Sequence, residues 1–186
     1  MIKYVIIGVV ALLAIICVIV VGIYNSLVRL KIQTEEGFAT MDVYLKKRFD
    51  LIPNLVETVK GYAAHESATL EKVIAARNKG VSAPTAEERV EGDAELTGAL
   101  KGLFALSESY PDLKANTNFS NLQEQLLAAE EDISQARKYY NAVVKLYNTK
   151  CEIFPSSMIA RMFHFERKPM FEVSADEQRE NVQVKF

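Results

Sequence analysis

The sequence predicts an all-α protein in which one N-terminal transmembrane helix continues into a long antiparallel four-helix bundle. Residues 5–23 carry no charge, and a helix of that length rises about 28 Å, close to the thickness of a bilayer's hydrocarbon core. Apolar residues recur in steps of three and four along much of the remaining chain, as in helices buried on one side. No proline stands between Ile23 and Pro53, so the anchor and the first bundle helix are expected to form one rod.

The apolar segment sets the predicted domain boundaries. We divide the chain into a short N-terminal tail (1–4), a transmembrane helix (5–24), a helical bundle (25–154) and a C-terminal tail (155–186). A retained anchor is favoured over a cleaved signal peptide, because the apolar stretch exceeds the usual signal-peptide core and no small-x-small cleavage site follows it.

Basic residues flank the apolar segment on both sides. Lys3 and the amino terminus lie before it, and Arg29 and Lys31 lie after it. The charge bias that orients single-span proteins is therefore nearly balanced, and the sequence leaves the orientation open. Arg29 and Lys31 are expected to contact lipid headgroups, since both lie within about 10 Å of the membrane edge along a straight helix.

The first bundle helix is marked by an apolar stripe that surrounds Pro53. A proline inside a helix removes a backbone hydrogen bond, so the helix is expected to kink or divide there. Lys47 or Arg48 is expected to form an exposed ion pair with Asp50 or with an acidic residue of a neighbouring helix. The stripe consists of Phe38, Met41, Leu45, Phe49, Ile52, Val56, Val59 and Ala63.

Two further helices are predicted between the first bundle helix and the long fourth helix. The first runs over 67–78 and ends at Lys79-Gly80, a basic last turn followed by glycine. Thr85 and Glu88 have the spacing of a capping box and open the next helix, which is expected to end near Ser109.

A strip of small residues lies on the predicted third helix. Ala94, Gly98 and Gly102 stand four residues apart, which would allow a neighbouring backbone to approach closely. The alternative is that the helix merely tolerates them, although each glycine costs up to about 1 kcal/mol relative to alanine.

The fourth helix has the clearest pattern. Ser120 and Gln123 have the spacing of a capping box, with Phe119 as a hydrophobic staple, and Pro155 ends the helix. Apolar residues in strict heptad phase predict a long helix in a left-handed, nearly parallel bundle. They are Phe119, Leu122, Leu126, Ala129, Ile133, Ala136, Tyr140, Val143 and Tyr147.

The C-terminal tail carries mixed signals. A turn or short helix is expected over 155–163, and the last five residues alternate like a strand. With no other strand predicted, this end is either disordered or docked on another surface. Val182, Val184 and Phe186 are the candidate contacts with a second copy of the chain.

A Tyr-Asn pair occurs three times, with Asn25, Asn141 and Asn148 as its asparagines. The last two are one heptad apart. Amides beside a helix seam set the register of packing at some cost in stability. The alternative is that these asparagines simply face solvent.

No catalytic, cofactor-binding or metal-binding residues are predicted. A di-metal bundle needs Glu-x-x-His motifs, and neither His65 nor His164 has a glutamate three residues earlier. Cys151 lies near the heptad seam, where a buried structural thiol is favoured over a nucleophile. A formal net charge of −2 argues against a dedicated nucleic-acid-binding protein.

Several blocks of the sequence resemble the LemA family. They are residues 48–56 (RFDLIPNLV), 59–66 (VKGYAAHE), 108–115 (ESYPDLKA) and the Asn118-Phe119 pair, with the later Tyr-Asn blocks. The resemblance runs from Tyr24 to the carboxyl end. It implies a bacterial membrane protein with a short outside amino terminus and a cytoplasmic helical bundle, and it supplies no catalytic residues.

Three positions depart from the family pattern. His164 stands where the family commonly has glycine, Met170 where it has tyrosine, and Glu131 where it has asparagine. The first two leave the local shape of the tail open, while the predicted fold does not depend on them.

The sequence therefore favours a membrane-anchored scaffold or adaptor without catalytic chemistry of its own. Its expected partners are the lipid bilayer, further copies of itself and other membrane proteins, and not nucleic acid. The alternative is a ligand sensor that binds a small molecule or peptide between bundle helices, with the Ala94-Gly98-Gly102 strip as the place for a cavity. The expected location is the bacterial cell membrane.

Overall fold

The computed structural model describes residues 1–171. The described residues form helices and contain no strand, which confirms the predicted all-α class. The candidate oligomer contacts Val182, Val184 and Phe186 lie outside the described residues. In chain order the helices are α1 (Ile2–Lys60), α2 (Ser67–Ser82), α3 (Ala86–Ser107), α4 (Pro111–Lys114), α5 (Thr117–Glu152) and α6 (Ser156–Met162).

α1 is one helix of 59 residues that contains both the apolar segment and the first bundle helix. Pro53 lies inside α1 and does not divide it. Proline lacks the N–H that the carbonyl of Phe49 would otherwise receive. The Nε–H of Arg77 in α2 donates to that carbonyl instead, at 3.4 Å. The neighbouring helix thus supplies the hydrogen bond that the proline removes.

The apolar segment of α1 is not buried by the rest of the described molecule. Ile7 is 64% exposed and Val18 is 72% exposed. By length and composition, α1 is the one helix within residues 1–171 that could cross a membrane. Uninterrupted apolar surface of this extent is typical of a lipid-facing helix.

The helices form two antiparallel pairs of unequal length. α1 packs along α5, and the shorter pair α2 and α3 packs on the upper part of α1. This short pair ends near Asp42 of α1, which forms an ion pair with Arg89 of α3. Below that level, α1 (24–41) and α5 (137–152) form a two-helix segment that we call the neck.

The heptad pattern of α5 is confirmed. Of its nine positions, all are buried except Leu122, which is half-buried. The predicted cap is wrong, because α5 begins at Thr117 and Asn116 is its cap, with Oδ1 accepting from the N–H of Phe119 at 3.0 Å. Ser120 lies in the first turn and donates to the carbonyl of Asn116.

The close approach between α2 and α3 uses other glycines than those predicted. α2 continues through Gly80, and the Phe49 ring fills the space that a Cβ at Gly80 would need. A Cβ at Gly92 would lie 2.6 Å from the Cα of Gly80. Apart from their chain neighbours and the nearby backbone of α3, no described atom lies within 4 Å of a Cβ built at Gly98 or Gly102. The predicted close packing at Gly98 and Gly102 is therefore not found within the described chain.

The start of α3 and the end of α6 are both set by local hydrogen bonds. Thr85 Oγ1 accepts from the N–H of Glu88 at 3.2 Å, as its capping position predicts. After α6, the N–H of Phe165 donates to the carbonyl of Ala160 at 2.9 Å, and His164 has a φ of 55°. This is a Schellman motif, and its left-handed position is one that glycine adopts without strain.

Candidate functional site

Two asparagines of α5 hold the segment after α6 against the neck. The Nδ2 of Asn141 donates to the carbonyl of Phe171 at 2.8 Å, and its Oδ1 accepts from the N–H of Phe171 at 2.9 Å. Asn148 makes the same two bonds with Lys168, at 2.8 and 2.9 Å. Each amide satisfies both backbone groups of one residue, as a neighbouring strand would. We call these two asparagines and the bound segment 165–171 the asparagine clamp.

The distance between the two asparagines along α5 is close to the distance between the two residues that they bind. Asn141 and Asn148 are one heptad apart, about 10.5 Å along a helix. Lys168 and Phe171 are three residues apart, about 9.3 Å in a polyproline II conformation, which returns to the same face every third residue. Pro169 between them favours that conformation. The segment is therefore recognised through its backbone, in one register and antiparallel to α5.

Aromatic rings fix the upper end of the bound segment. Phe171 is 6% exposed, and its ring centroid lies 4.8 Å from that of Tyr140 and 6.3 Å from that of Phe38 on α1. The hydroxyl of Tyr140 donates to the carbonyl of Pro169 at 3.2 Å. Burial raises the pKa of Tyr140, so the hydroxyl stays protonated as a donor at neutral pH. The segment thus contacts both helices of the neck.

The three asparagines of the Tyr-Asn pairs have different surroundings. Asn25 is exposed, in agreement with the solvent-facing alternative. Asn141 and Asn148 do not simply face solvent, and they do more than set the register of helix packing. Both bind the segment after α6. The heptad spacing of the two Tyr-Asn pairs was the available signal, but the sequence did not reveal their partner. Arg29 is exposed just above the apolar segment.

A charge cluster that is buried at Arg48 and Asp93 and partly exposed at Glu130 joins α1, α3 and α5. Arg48 is 3% exposed and pairs with Asp93 at 2.6 Å and with Glu130 at 2.5 Å. Its Nη2 donates to Thr97 Oγ1 at 3.0 Å. Arg137 lies 3.7 Å from the other carboxylate oxygen of Asp93. Two arginines and two carboxylates therefore share one site between three helices.

The environment of Asp93 depends on its arginine partners. Burial raises the pKa of the Asp93 carboxyl, and the charge of the Arg48 guanidinium opposes that rise. The exposed ion pair expected for Lys47 or Arg48 is found at Lys47, which lies 3.7 Å from Asp132 of α5. The pair of Arg48 with Asp93 is buried instead. The sequence feature that could have predicted the burial of Arg48 is its position in the apolar stripe of α1, since Leu45, Arg48 and Ile52 are spaced by three and four.

A shallow groove lies between α1 and α2 beside Pro53. Its volume is about 230 Å³, below the usual range of about 300–1,000 Å³ for small-molecule sites. Its floor is apolar and its rim carries both charge signs. The lining residues are Ile52, Pro53, Val56, Glu57, Lys60, Ile74, Arg77 and Asn78.

The thiol of Cys151 is half-buried on α5. Burial raises its pKa, although a hydrogen bond with the Tyr147 hydroxyl acts in the opposite direction. A raised pKa keeps the thiol protonated at neutral pH, whereas nucleophilic cysteines need the thiolate. Among residues 1–171, no three histidine, cysteine or acidic side chains are grouped so as to hold a metal ion.

Comparison with known proteins finds one family profile and several relatives. The LemA family profile matches residues 37–186. Protein LemA of Metamycoplasma hominis is 24% identical over 158 residues, which cover 83% of this chain and 71% of that protein. Magnetosome proteins MamQ 1 and MamQ 2 of Paramagnetospirillum magneticum are each 25% identical over 175 residues. These matches cover 80% of this chain and 64% of the MamQ proteins.

The family match covers most of the chain and includes the clamp, the charge cluster and the core of the bundle. It confirms the resemblance that the sequence blocks indicated. Together with the apolar N-terminal helix, it identifies a membrane protein. The chain belongs to the LemA family.

Proposed function

We propose that this chain is a membrane-anchored scaffold or adaptor that associates with further copies of itself. The observation that carries the proposal is that α1 is both the anchor and a core helix of the bundle. Because no loop separates the two parts, the bundle is joined rigidly to the anchor and does not swing on a linker. A surface that presents partners to one another needs such fixed placement.

The clamp supports self-association through the tail. It holds Phe171 beside Phe38, which lies about 22 Å above the end of the apolar segment along a straight helix. The chain therefore leaves the clamp well above the membrane. From there, we propose, the apolar residues Val182, Val184 and Phe186 dock on a neighbouring copy.

The test is the mass of the complex extracted in mild detergent, compared between the full chain and a chain lacking 176–186. The full chain should run as a multiple of its 20.9 kDa mass, and the shortened chain as a smaller assembly. A second variant, with Val182, Val184 and Phe186 all changed to Ser, keeps the length and should behave like the deletion. A monomeric full chain would contradict self-association, and an unchanged mass in both variants would contradict tail docking.

The proposed role includes no catalytic chemistry of its own. The raised pKa of Cys151 supports this, because it disfavours a thiolate nucleophile. The MamQ relatives are named for a cell structure and not for a reaction, which supports a structural role. A search for turnover would begin with small molecules that copurify, and a product formed from one of them would overturn this part of the proposal.

We place the chain in the bacterial cell membrane, with its amino terminus outside and its bundle in the cytoplasm, as the family resemblance implies. Cys151 is a poor reporter, since it is half-buried and its pKa is raised. Single cysteines at Lys3 and at the exposed Ala128, with Cys17 and Cys151 changed to Ser, are better labelling sites. An impermeant thiol reagent added to intact cells should label Lys3→Cys and not Ala128→Cys. The reverse pattern would overturn the orientation.

A ligand sensor is the second candidate, and the groove beside Pro53 is the observation that favours it. Its apolar floor and charged rim would suit a small amphipathic molecule. The half-exposed Ile74 lies on this groove. If the sensor hypothesis is correct, a small molecule should copurify with the wild-type chain and be lost from Ile74→Glu.

A further inference from the structure

The region around α6 is apolar on two opposite sides. One side contains Ile159 and Ala160, which are buried against Leu27 of α1. The other side presents Met158 and Met162, which are four residues apart and 62% and 60% exposed. A helix that is apolar on both sides needs a second apolar environment.

The height of α6 follows from its contacts with α1. The cluster formed by Leu27, Ile159 and Ala160 includes Val20 and Ile23 of the apolar segment as partly buried members. Within residues 2–23, Val20 and Ile23 are the side chains that the rest of the described molecule shields. If α1 crosses the membrane with this segment, the residues that touch Val20 must lie at the hydrocarbon boundary.

Aromatic residues extend this surface at the same height. Phe163 and Phe165 lie 4.8 and 5.7 Å from the ring of Tyr24, between ring centroids. Phe154, in the turn before α6, is 79% exposed. Arg161 is exposed on the outer side of α6. Aromatic rings next to a basic residue are typical of the membrane interface.

We propose that the α6 surface, formed by Phe154, Met158, Met162 and Phe163, is a second membrane contact inserted into the lipid interface beside α1. The occupant is lipid because the surface is continuous with the membrane-spanning surface of α1. A single helix can rotate and tilt in a bilayer, whereas two adjacent contacts fix the rotation of the bundle about α1. This inference rests on α1 crossing the membrane and is independent of the scaffold proposal.

Tryptophan fluorescence tests the contact directly, because the chain contains no tryptophan. Met158→Trp and Met162→Trp replace exposed side chains and should leave the fold intact. The full chain is reconstituted into phosphatidylcholine vesicles in which a fraction of the lipid carries bromine on its acyl chains. Val18→Trp, in the apolar segment, is the positive control. Leu127→Trp is the matched negative control, since Leu127 is 62% exposed and lies on α5 far above the membrane.

The expected result is blue-shifted emission that brominated lipid quenches strongly at positions 158 and 162, as at position 18, and not at position 127. Water-like, unquenched emission at 158 and 162 would overturn the proposal. Blue-shifted but unquenched emission would also overturn it, because another protein chain would then cover the surface. Failure of quenching at position 18 would instead contradict the membrane span itself.

Discussion

A single buried arginine connects three helices, since Arg48 bridges Asp93 of α3 and Glu130 of α5. Changing Arg48 to Met leaves the buried carboxyl of Asp93 without its main partner, and breaking a buried pair costs about 3–5 kcal/mol. We expect Arg48→Met to lower the free energy of unfolding of the full chain in detergent by that amount, measured by urea unfolding. Lys46→Met is the matched control, because its pair with Asp50 is exposed and contributes only about 0–1 kcal/mol.

The loss should also depend on pH. Burial raises the pKa of Asp93 above its usual 3.8, and removing Arg48 removes the main opposing charge. The folded variant then retains a proton that the unfolded chain releases, so stability is lost as pH rises from the unfolded pKa through the raised folded pKa. We expect the deficit of Arg48→Met relative to wild type to be larger at about pH 8 than at about pH 5. A deficit that shrinks with rising pH would contradict this sign.

His164 is the described non-glycine residue with a left-handed backbone, at a φ of 55°. That conformation costs an ordinary residue about 1–2 kcal/mol, and a glycine at this position would avoid that cost. Glycine is also more flexible in the unfolded chain, which reduces the stabilisation by about 0.5–1 kcal/mol. We therefore expect His164→Gly to raise the free energy of unfolding by about 0.5–1 kcal/mol. Arg161→Gly, inside α6, should instead lower it by about 1 kcal/mol. If His164→Gly instead lowers the free energy of unfolding, the histidine side chain makes a contact that stabilises the fold by more than its left-handed backbone costs.

At the scale of single residues, the sequence predicts features that depend on near neighbours along the chain. The Thr85 cap needs only a backbone N–H three residues away, and it is found as predicted. Gly80 and Gly92 matter because two helices cross there, and Arg48 is buried because acids from two other helices converge on it. Such partners come from distant parts of the chain, so spacing along one helix does not reveal them.

The asparagine clamp is an element-scale device, since a helix binds an extended segment through four hydrogen bonds from two side chains. Each such bond contributes about 0.5–1.5 kcal/mol. Changing Asn141 and Asn148 together to Ala should release the segment without altering the heptad core of α5. We expect faster hydrogen exchange at the amides of Lys168 and Phe171, measured by mass spectrometry on the full chain in detergent.

Two further variants make that test specific. Asn141→Asp keeps an acceptor for the N–H of Phe171 but loses the donor to its carbonyl, so its effect should be intermediate. Gln135→Ala is the matched control, because that amide lies on α5 and bonds to Glu131 of the same helix. Equal exchange in the double Ala variant and wild type, or an equal effect of Gln135→Ala, would show that the asparagines do not hold the segment.

Element types were more predictable than element ends. The apolar stripes of α1 and α5 are long enough to define both helices, and the core residues follow them. The end of α2 was missed because Gly80 serves packing and not termination. The start of α5 was missed because Asn116 lies three residues before the first repeating apolar residue. The bound segment 165–171 has no periodicity of its own, so only the folded neck gives it a place.

At the scale of the whole molecule, the neck joins the bundle to the apolar segment of α1. α2 and α3 end near Asp42, and between that level and α6, which packs beside Leu27, α1 and α5 would be a bare pair. The bound segment adds a third element there, and Lys168 pairs with Glu35 of α1 at 3.3 Å. Because the segment contacts both helices, bending the neck would break contacts on both. The arrangement therefore stiffens the connection between the membrane and the bundle.

If the neck is stiff, the far end of the bundle should stay at a fixed height above the membrane. Lys60 lies 37 residues after Ile23, about 55 Å along a straight helix. We attach a donor dye to Ala64→Cys, with Cys17 and Cys151 changed to Ser, and place acceptor lipids in vesicles. Energy transfer should be weak, because the donor stays far above the lipid surface.

Two insertions of equal length after Asn25 distinguish the effect of helix stiffness from the effect of helix length. Four glycines interrupt the helix and should increase energy transfer, because the bundle can then lean towards the membrane. Four alanines continue the helix and raise the bundle by about 6 Å, so transfer should stay weak or fall. If the uninterrupted chain already transfers as strongly as the glycine variant, the bundle swings freely and the rod is wrong. If the alanine variant also transfers strongly, the contacts of α6 with Val20 and Leu27, and not helix continuity alone, hold the bundle upright.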